Sequence, residues 1–301
     1  MRQLDSIIEQ LAQGFSLTRV CGLLKVSKSA YYAARKKTLS GKDEHSSLLV
    51  EEVFWQHSRR YGSRRIREEL QAQGVGLGRR RIRRLMREGG LKAIQPKAFV
   101  PRTTDSRHGG RMSPNLLLER DIKVSKPNEV VVGDITYLPL LNGGWVYLAT
   151  WEDLYSRLVV GWQIEENLED KLVIGAMKKA IMRRQPVKGL IVHSDRGGQY
   201  VSKELRELLS SQGMEQSMSR AGETYDNAYA ESFFSRYKAE LLEGGAFADI
   251  EEARAETFSY IEGYYNRVRR HSGLGYKSPE EFERKYYEKL SEALTTNQEK
   301  G

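Results

Sequence analysis

The chain has a single cysteine, Cys21, among 301 residues. That excludes an internal disulfide framework and any zinc site built on cysteines. It has no apolar run of the roughly 18 residues that a membrane helix requires. Its opening MRQLDSIIEQ lacks the apolar stretch of a signal peptide. Internal repeats and low-complexity segments are also missing. These absences predict a soluble intracellular protein with no membrane partner. What is present can build a core, with 39% hydrophobic and 9% aromatic residues, and the 30% charged content stays short of a disordered profile. The length suits two or three domains, or one large one.

The net charge of +9 is unevenly spread. Residues 1–112 carry 24 Lys+Arg against 10 Asp+Glu, whereas the rest of the chain is net acidic. Basic charge gathered in one half is the electrostatic footprint of polyanion binding; a merely solvated basic surface is the competing reading.

The basic half reads as helices. Leu4, Ile7, Ile8 and Leu11 recur at helical spacing before Gly14. A second helix is expected from Ser16, with Leu17, Val20, Leu23 and Leu24 inward. A third follows from Ser27 and exposes Lys28, Ser29, Tyr32 and Arg35. Two helices joined by a short turn make a helix-turn-helix pattern over residues 1–37, with Lys28 and Arg35 as candidate DNA contacts. TLSGKDEHSS reads as a polar linker. A second helix-turn-helix-like unit is expected over 46–94, broken near Tyr61-Gly62 and ending in LGRRRIRRLMREGGL. There Ile82, Leu85 and Met86 share one side. Arg79, Arg80, Arg81, Arg83, Arg84 and Arg87 crowd the rest, so a phosphate backbone is their natural partner. The candidate contacts are Arg79, Arg80, Arg83, Arg84 and Arg87. Residues 95–125 contain three prolines and no periodicity, and read as a linker.

From residue 129 the pattern turns to strands. EVVVGDITYLPL and WVYLATWEDL flank the turn signal LNGG, and RLVVGWQI supplies a third strand. Then come a helix over EDKLVIGAMKKAIMRRQ, a short strand KGLIVHSD, a helix KELRELLSSQG, a strand MEQSMS and a long helix NAYAESFFSRYKAELL. This order predicts a mixed α/β sheet with helices on its faces.

Three acids stand out. Asp134 lies inside the first strand, where a carboxylate needs a partner. Asp195 ends the fourth strand at a glycine turn, a place where α/β sheets present functional side chains. Glu231 sits on the long helix, with Lys238 two turns later on the same face. Converging carboxylates raise one another's pKa values. Hard divalent cations, Mg²⁺ or Mn²⁺, would relieve that conflict, and two of them would clamp a phosphodiester. Asp153 reads instead as a turn residue, Asp226 as a helix N-cap, and His193 as a packed histidine or one supporting the site.

The motifs GDITYL, YLATWEDLYSRLVVGW, HSDRGGQY, YDNAYAESFFSRYKAE and YYNRVRRHSGLGYKSPEEF together resemble the second-reading-frame transposases of the bacterial IS-three insertion sequences. These belong to the DDE transposase and retroviral-integrase superfamily. The 35 residues between Asp195 and Glu231 match the family interval. The resemblance implies an RNase H-like catalytic core over 126–245, a C-terminal helical region over 246–292 and a tail over 293–301. It implies that Asp134, Asp195 and Glu231 hold two divalent metals, and that Lys238 contacts the element's terminal DNA. The implied reaction is nicking at the element end, then attack of the freed 3′-hydroxyl on another phosphodiester, without a covalent protein–DNA bond. The implied partners are double-stranded DNA, both terminal inverted repeats and target, a homo-oligomer on DNA, and an upstream-frame protein joined by frameshifting. The implied location is the bacterial cytoplasm, at the nucleoid. Arg267, Arg269, Arg270 and His271 are left open between DNA contact and packing. A DNA-binding repressor with a degenerate core and a structure-selective nuclease are the alternative functions.

Overall fold

A computed structural model describes residues 11, 17–24, 26–27, 41–96, 112–185, 188–220 and 228–298. The first expected helix apart from the exposed Leu11, together with Lys28, Arg35 and Asp226, lies outside these residues. The chain divides into two compact units, Met1–Ala93 and Ile94–Gly301.

In the first unit α1 (Leu17–Leu23) buries Val20 and Cys21. Leu23, expected inward, is exposed. The helices α2 (Gly41–Gln56), α3 (Ser63–Ala72) and α4 (Arg79–Glu88) follow. The stretch expected as a polar linker is therefore helical from Gly41. Asp43 and Glu44 stand in the first turn of α2, where acidic side chains oppose the helix dipole favourably. After α2, Ser58 and Arg59 take left-handed backbone at φ 48° and 63°, which turns the chain sharply. His57 then stacks on Tyr61, with ring centroids 3.6 Å apart. Val50, Val53, Phe54, Ile66, Leu70, Ile82, Leu85 and Met86 are buried in this unit.

The second unit is built on a five-stranded sheet in the order β3-β2-β1-β4-β5. Its strands are β1 (Val130–Pro139), β2 (Trp145–Asp153), β3 (Val159–Glu165), β4 (Ile191–Ser194) and β5 (Glu215–Met218). The first three pair antiparallel, and β4 and β5 run parallel to β1. This is the mixed five-stranded, RNase H-like sheet expected.

One face is covered by α6 (Asp170–Arg184) and α7 (Lys203–Ser211). Their residues Leu172, Val173, Met177, Leu205 and Leu209 pack with Val131, Ala149, Trp151 and Val160. A Cβ on Gly161 of β3 would stand 2.2 Å from the Ala176 carbonyl oxygen of α6, so only glycine permits this approach. On the other face lies α8 (Ala228–Tyr237), which widens into a π-helical turn over Lys238–Leu242. Phe233, Phe234 and Tyr237 pack there on Leu138, Leu148 and Ile164. Burial of each phenylalanine contributes roughly 1.5–3 kcal/mol.

Residues 112–125, read as linker, belong to this unit. They hold the short helix α5 (Leu116–Glu119), whose Leu116 packs on Val130, Val132 and Ile191. Met218 N–H donates to the Pro114 carbonyl at 3.1 Å, and Leu116 N–H donates to Ser217 Oγ at 3.0 Å. Irregular backbone laid along an edge strand leaves no periodic signal in the sequence.

The C-terminal helical region expected over 246–292 packs on the same core. The helix α9 (Ile250–Phe258) runs on as a π-helical segment over Ser259–Tyr265, and α10 (Pro279–Gln298) follows. Tyr260, Ile261 and Tyr265 share the core of α8. From α10, Glu283 pairs with Arg184 of α6. Among the described residues no helix is long and apolar enough to cross a membrane.

Candidate active site

Gly133 pairs with Ser194 in the parallel β1–β4 ladder. One step further, Asp134 and Asp195 follow on strands that lie about 4.8 Å apart. Period-two alternation puts both on the face that carries Val130, Val132 and Ile191, because Val130 pairs with Ile191 and Val132 with His193. Asp134 accepts from the Ile135 N–H at 2.8 Å, and Asp195 accepts from the Gly197 N–H at 2.9 Å. Each carboxylate, one within β1 and one just past β4, is thus held by a local backbone bond.

The face that bears these acids is the one α8 covers. Glu231 stands exposed in its first turn, and Lys238 is partly buried where the helix widens. The charges of all three partners are felt at Asp134. Its carboxyl is pushed up to about 8, first by burial and then by the charge of Asp195. The Ile135 hydrogen bond opposes that rise, Glu231 adds to it, and Lys238 counters it. Glu231 is also raised, by desolvation. Burial lowers the Lys238 ammonium while Asp134 supports its charge.

The donor set is three carboxylates, hard oxygen ligands of the type that suits Mg²⁺ or Mn²⁺. A cation there would reverse the mutual repulsion that raises Asp134. Among the described residues no three His, Cys, Asp or Glu groups are drawn close enough to close on one ion. The site therefore fits a divalent cation in chemistry, and its carboxylates stand as electrostatic neighbours.

Competing acids fall elsewhere. Asp153 is buried and holds the turn after β2, accepting from Tyr155 N–H at 3.0 Å and Ser156 N–H at 2.9 Å. It accepts from Asn128 N–H as well, at 2.8 Å. His193 is a packed histidine, fully buried with Nδ1 2.9 Å from Ser217 Oγ.

A tyrosine that sequence reasoning did not single out backs the site. Tyr200 is buried, and its hydroxyl has no hydrogen-bond partner among the described residues. Burial raises its pKa far, and the charges of Asp134 and Asp195 raise it further. Its ring meets Trp151 edge-on at 5.7 Å. Trp151 in turn covers Gly133, where a Cβ would stand 2.3 Å from the indole ring. The available signal was its place at the end of HSDRGGQY.

In the first unit the arginines of α4 divide into two sets. Arg79, Arg80, Arg83 and Arg87 are exposed, and at 100° per residue they span an arc of roughly 100°. Arg81 and Arg84 are tied to Asp43 of α2, at 2.8 and 3.1 Å. Arg84, one of the expected DNA contacts, also pairs with that carboxylate. Of the Arg267–Arg270 cluster, Arg267 is exposed, whereas Arg269 and Arg270 are engaged within the unit. Arg269 is buried against Glu240, and Arg270 Nη1 donates to the Tyr276 carbonyl at 3.0 Å.

Comparison with known proteins agrees with this architecture. The integrase core domain family matches residues 124–224, a second integrase core domain family matches 212–279, and the HTH-like domain family matches 42–99. Transposase InsF for insertion sequence IS3A of Escherichia coli (strain K12) is 39% identical over 283 residues, 92% of this chain and 97% of that protein. The transposase for insertion sequence element IS904 of Lactococcus lactis subsp. lactis (strain IL1403) is 40% identical over 238 residues, 79% of this chain and 93% of that protein. Among solved structures, a simian T-cell lymphotropic virus intasome in complex with PP2A regulatory subunit B56 gamma overlaps with a TM-score of 0.43 at 14% identity, covering 72% of this chain and 70% of that one. The HTLV-2 integrase catalytic core domain in complex with magnesium overlaps with a TM-score of 0.38 at 17% identity, covering 54% of this chain and 99% of that one. Identity of this order over nearly the whole length places the chain: it belongs to the IS3 family of insertion-sequence transposases, proteins of transposition and DNA integration built on the integrase core.

Proposed function

We propose that this transposase nicks the ends of its insertion sequence and transfers them to another phosphodiester with Asp134, Asp195 and Glu231 as its catalytic carboxylates. The observation that carries this reading is the convergence of charge at Asp134. Asp195 stands beside it on the parallel strand, and Glu231 and Lys238 act on it from α8. The three carboxylates would hold two divalent ions, Mg²⁺ or Mn²⁺. Bound there, such ions neutralise the scissile phosphate and lower the pKa of the attacking oxygen.

The chain's own groups do the rest. Asp134 and Asp195, fixed by backbone bonds on adjacent strands, set the place where the scissile phosphate lies. Lys238 contributes a cation at the rim, where the phosphates of the terminal DNA pass. In the first step a water oxygen bonds to phosphorus, and the bond to the 3′-oxygen breaks to leave a 3′-hydroxyl. In the second that hydroxyl attacks another phosphodiester and displaces a new 3′-oxygen.

DNA is held by the helical unit, with α4 as the second helix of its helix-turn-helix and Arg79, Arg80, Arg83 and Arg87 on the backbone phosphates. The assembly acts as a homo-oligomer that brings two ends together, and an upstream-frame partner remains part of this proposal. The test is incubation of the full chain, alone and frame-fused, with Mg²⁺ and duplexes bearing the element's terminal repeats. Joined product that disappears in Glu231→Gln is expected. Joined product that persists in that variant would overturn the assignment.

A further inference from the structure

Glu240 lies in the π-helical turn that begins at Lys238, and it is buried. Arg269, 29 residues later, is 2% exposed and grips it with two bonds. Nε donates to Oε2 at 2.8 Å, and Nη2 donates to Oε1 at 2.5 Å. Tyr260 donates its hydroxyl to the same Oε2 at 2.9 Å. The second π-helical segment, Ser259–Tyr265, contains Tyr260. Each wide turn therefore meets the other through one carboxylate. Such turns recur at functional positions in helices.

Other contacts along α8 come from the same C-terminal stretch. Tyr237 Oη lies 2.5 Å from Thr257 Oγ1. The Phe233 ring meets Tyr265 edge-on at 4.9 Å, and Tyr237 meets Tyr260 at 5.3 Å. The stretch is itself pinned to the sheet. Asn266 Oδ1 accepts from Val159 N–H at 3.0 Å, and Asn266 Nδ2 donates to the Val159 carbonyl at 3.0 Å. Arg269 also stacks over Tyr265 at 5.8 Å. The motif NRVRRH thus connects edge strand β3 to the end of the helix that bears Glu231 and Lys238.

We infer that Arg269 is a positioning residue: through its bidentate bond to Glu240 it fixes the rotation and depth of α8, and so where Glu231 and Lys238 stand relative to Asp134 and Asp195. This rests on the reading of Glu231 and Lys238 as site residues. A planar guanidinium fork sets direction as well as charge, which an ammonium does not. A buried ion pair adds little net stability compared with apolar packing, whereas its directed bonds select one geometry. Misplacement of a reacting group by about 1 Å costs on the order of 100-fold in rate.

The test compares Arg269→Lys and the uncharged pair Arg269→Met with Glu240→Gln, in the full chain. The pair removes both buried charges together, so it folds even where a single truncation strands one of them. Each protein is assayed for kcat and KM on terminal-repeat duplexes with Mg²⁺ well below its Tm. Backbone amide exchange is followed over residues 228–242. The expected result is a kcat lowered about 10–100-fold with KM within about twofold, and faster exchange confined to 228–242. Wild-type kcat in the folded uncharged pair would overturn the inference. Slowed turnover with exchange accelerated throughout the core would overturn it too, in favour of a purely structural bond. Glu231→Gln runs in parallel: its retained turnover would overturn the site assignment itself.

Discussion

Asp134 of β1 and Asp195 just past β4 stand one residue beyond the Gly133–Ser194 pair of the parallel ladder. The two are 61 positions apart in the chain, yet the ladder register brings them to the same face of adjacent strands. Burial, and after it the charge of Asp195, lifts Asp134 to about 8.

The first prediction concerns Asp195. Asp195→Asn keeps the side chain's size and can still accept from the Gly197 N–H. It should leave duplex binding within about twofold, because the arginines of α4 lie in the other unit. End joining should fall by more than the roughly 10–100-fold typical of residues that only support a metal ligand. Gel-resolved joining with Mg²⁺ checks this, and activity within tenfold of wild type would remove Asp195 from the proposed site.

Arg83 and Arg84 are adjacent in sequence and differ in fate. Arg83 is exposed, whereas Arg84 is engaged by Asp43. Arg83→Gln should reduce the slope of log K against log salt by roughly 0.9, the value of one phosphate contact. Arg84→Gln should change it less. Asp43→Asn should steepen the slope by freeing Arg81 and Arg84. Equal slopes for the Arg83 and Arg84 variants, measured by anisotropy titration at several salt concentrations, would contradict this division.

Gly133 gives Trp151 its room. A Cβ there would stand 2.3 Å from the indole ring, which is rigid and buried. Gly133→Ala should cost about 1–3 kcal/mol through overpacking. That corresponds to a Tm lower by roughly 3–10 °C for a unit of this size. Tryptophan emission should change as the ring shifts. An unchanged Tm by calorimetry would show that the ring has another place to go.

Glu152 predicts a pH dependence. It is buried beside Tyr265, whose hydroxyl donates to it at 3.3 Å. Its carboxyl is pushed from 4.5 up to about 8, chiefly by burial, with Arg157 opposing. Below pH 4.5 both folded and unfolded chains carry the proton. Between 4.5 and 8 the folded chain alone retains it, so this contribution to stability falls as pH rises through that window and is gone above it. Glu152→Gln should therefore flatten the decline of Tm between pH 5 and 8. Parallel Tm–pH curves for the two proteins would assign the decline to other groups.

Much of the core was legible from local pattern alone. The runs from Glu129 to Leu242 show the periods of two and 3.6 that side-chain geometry imposes on strands and helices. The turn LNGG and the strand end at Asp195 carry their own backbone chemistry. By itself the sequence therefore determined the strand and helix order of the second unit, the candidate acids, and the family. It read Asp153 as a turn residue and Asp134 as a candidate ligand, but it could not name the long-range partners of either, since those are set by the fold and not by neighbours in the chain. Only the tertiary structure gave Asp153 the Asn128 N–H and set Asp134 beside the strand that Asp195 follows. It alone engaged Arg84 while leaving Arg83 exposed, laid residues 112–125 along the edge of β5, and buried Arg269 on Glu240. These are long-range pairings of irregular or charged segments. Burial and ion pairing depend on which surfaces meet, and periodicity records only which side of an element is apolar.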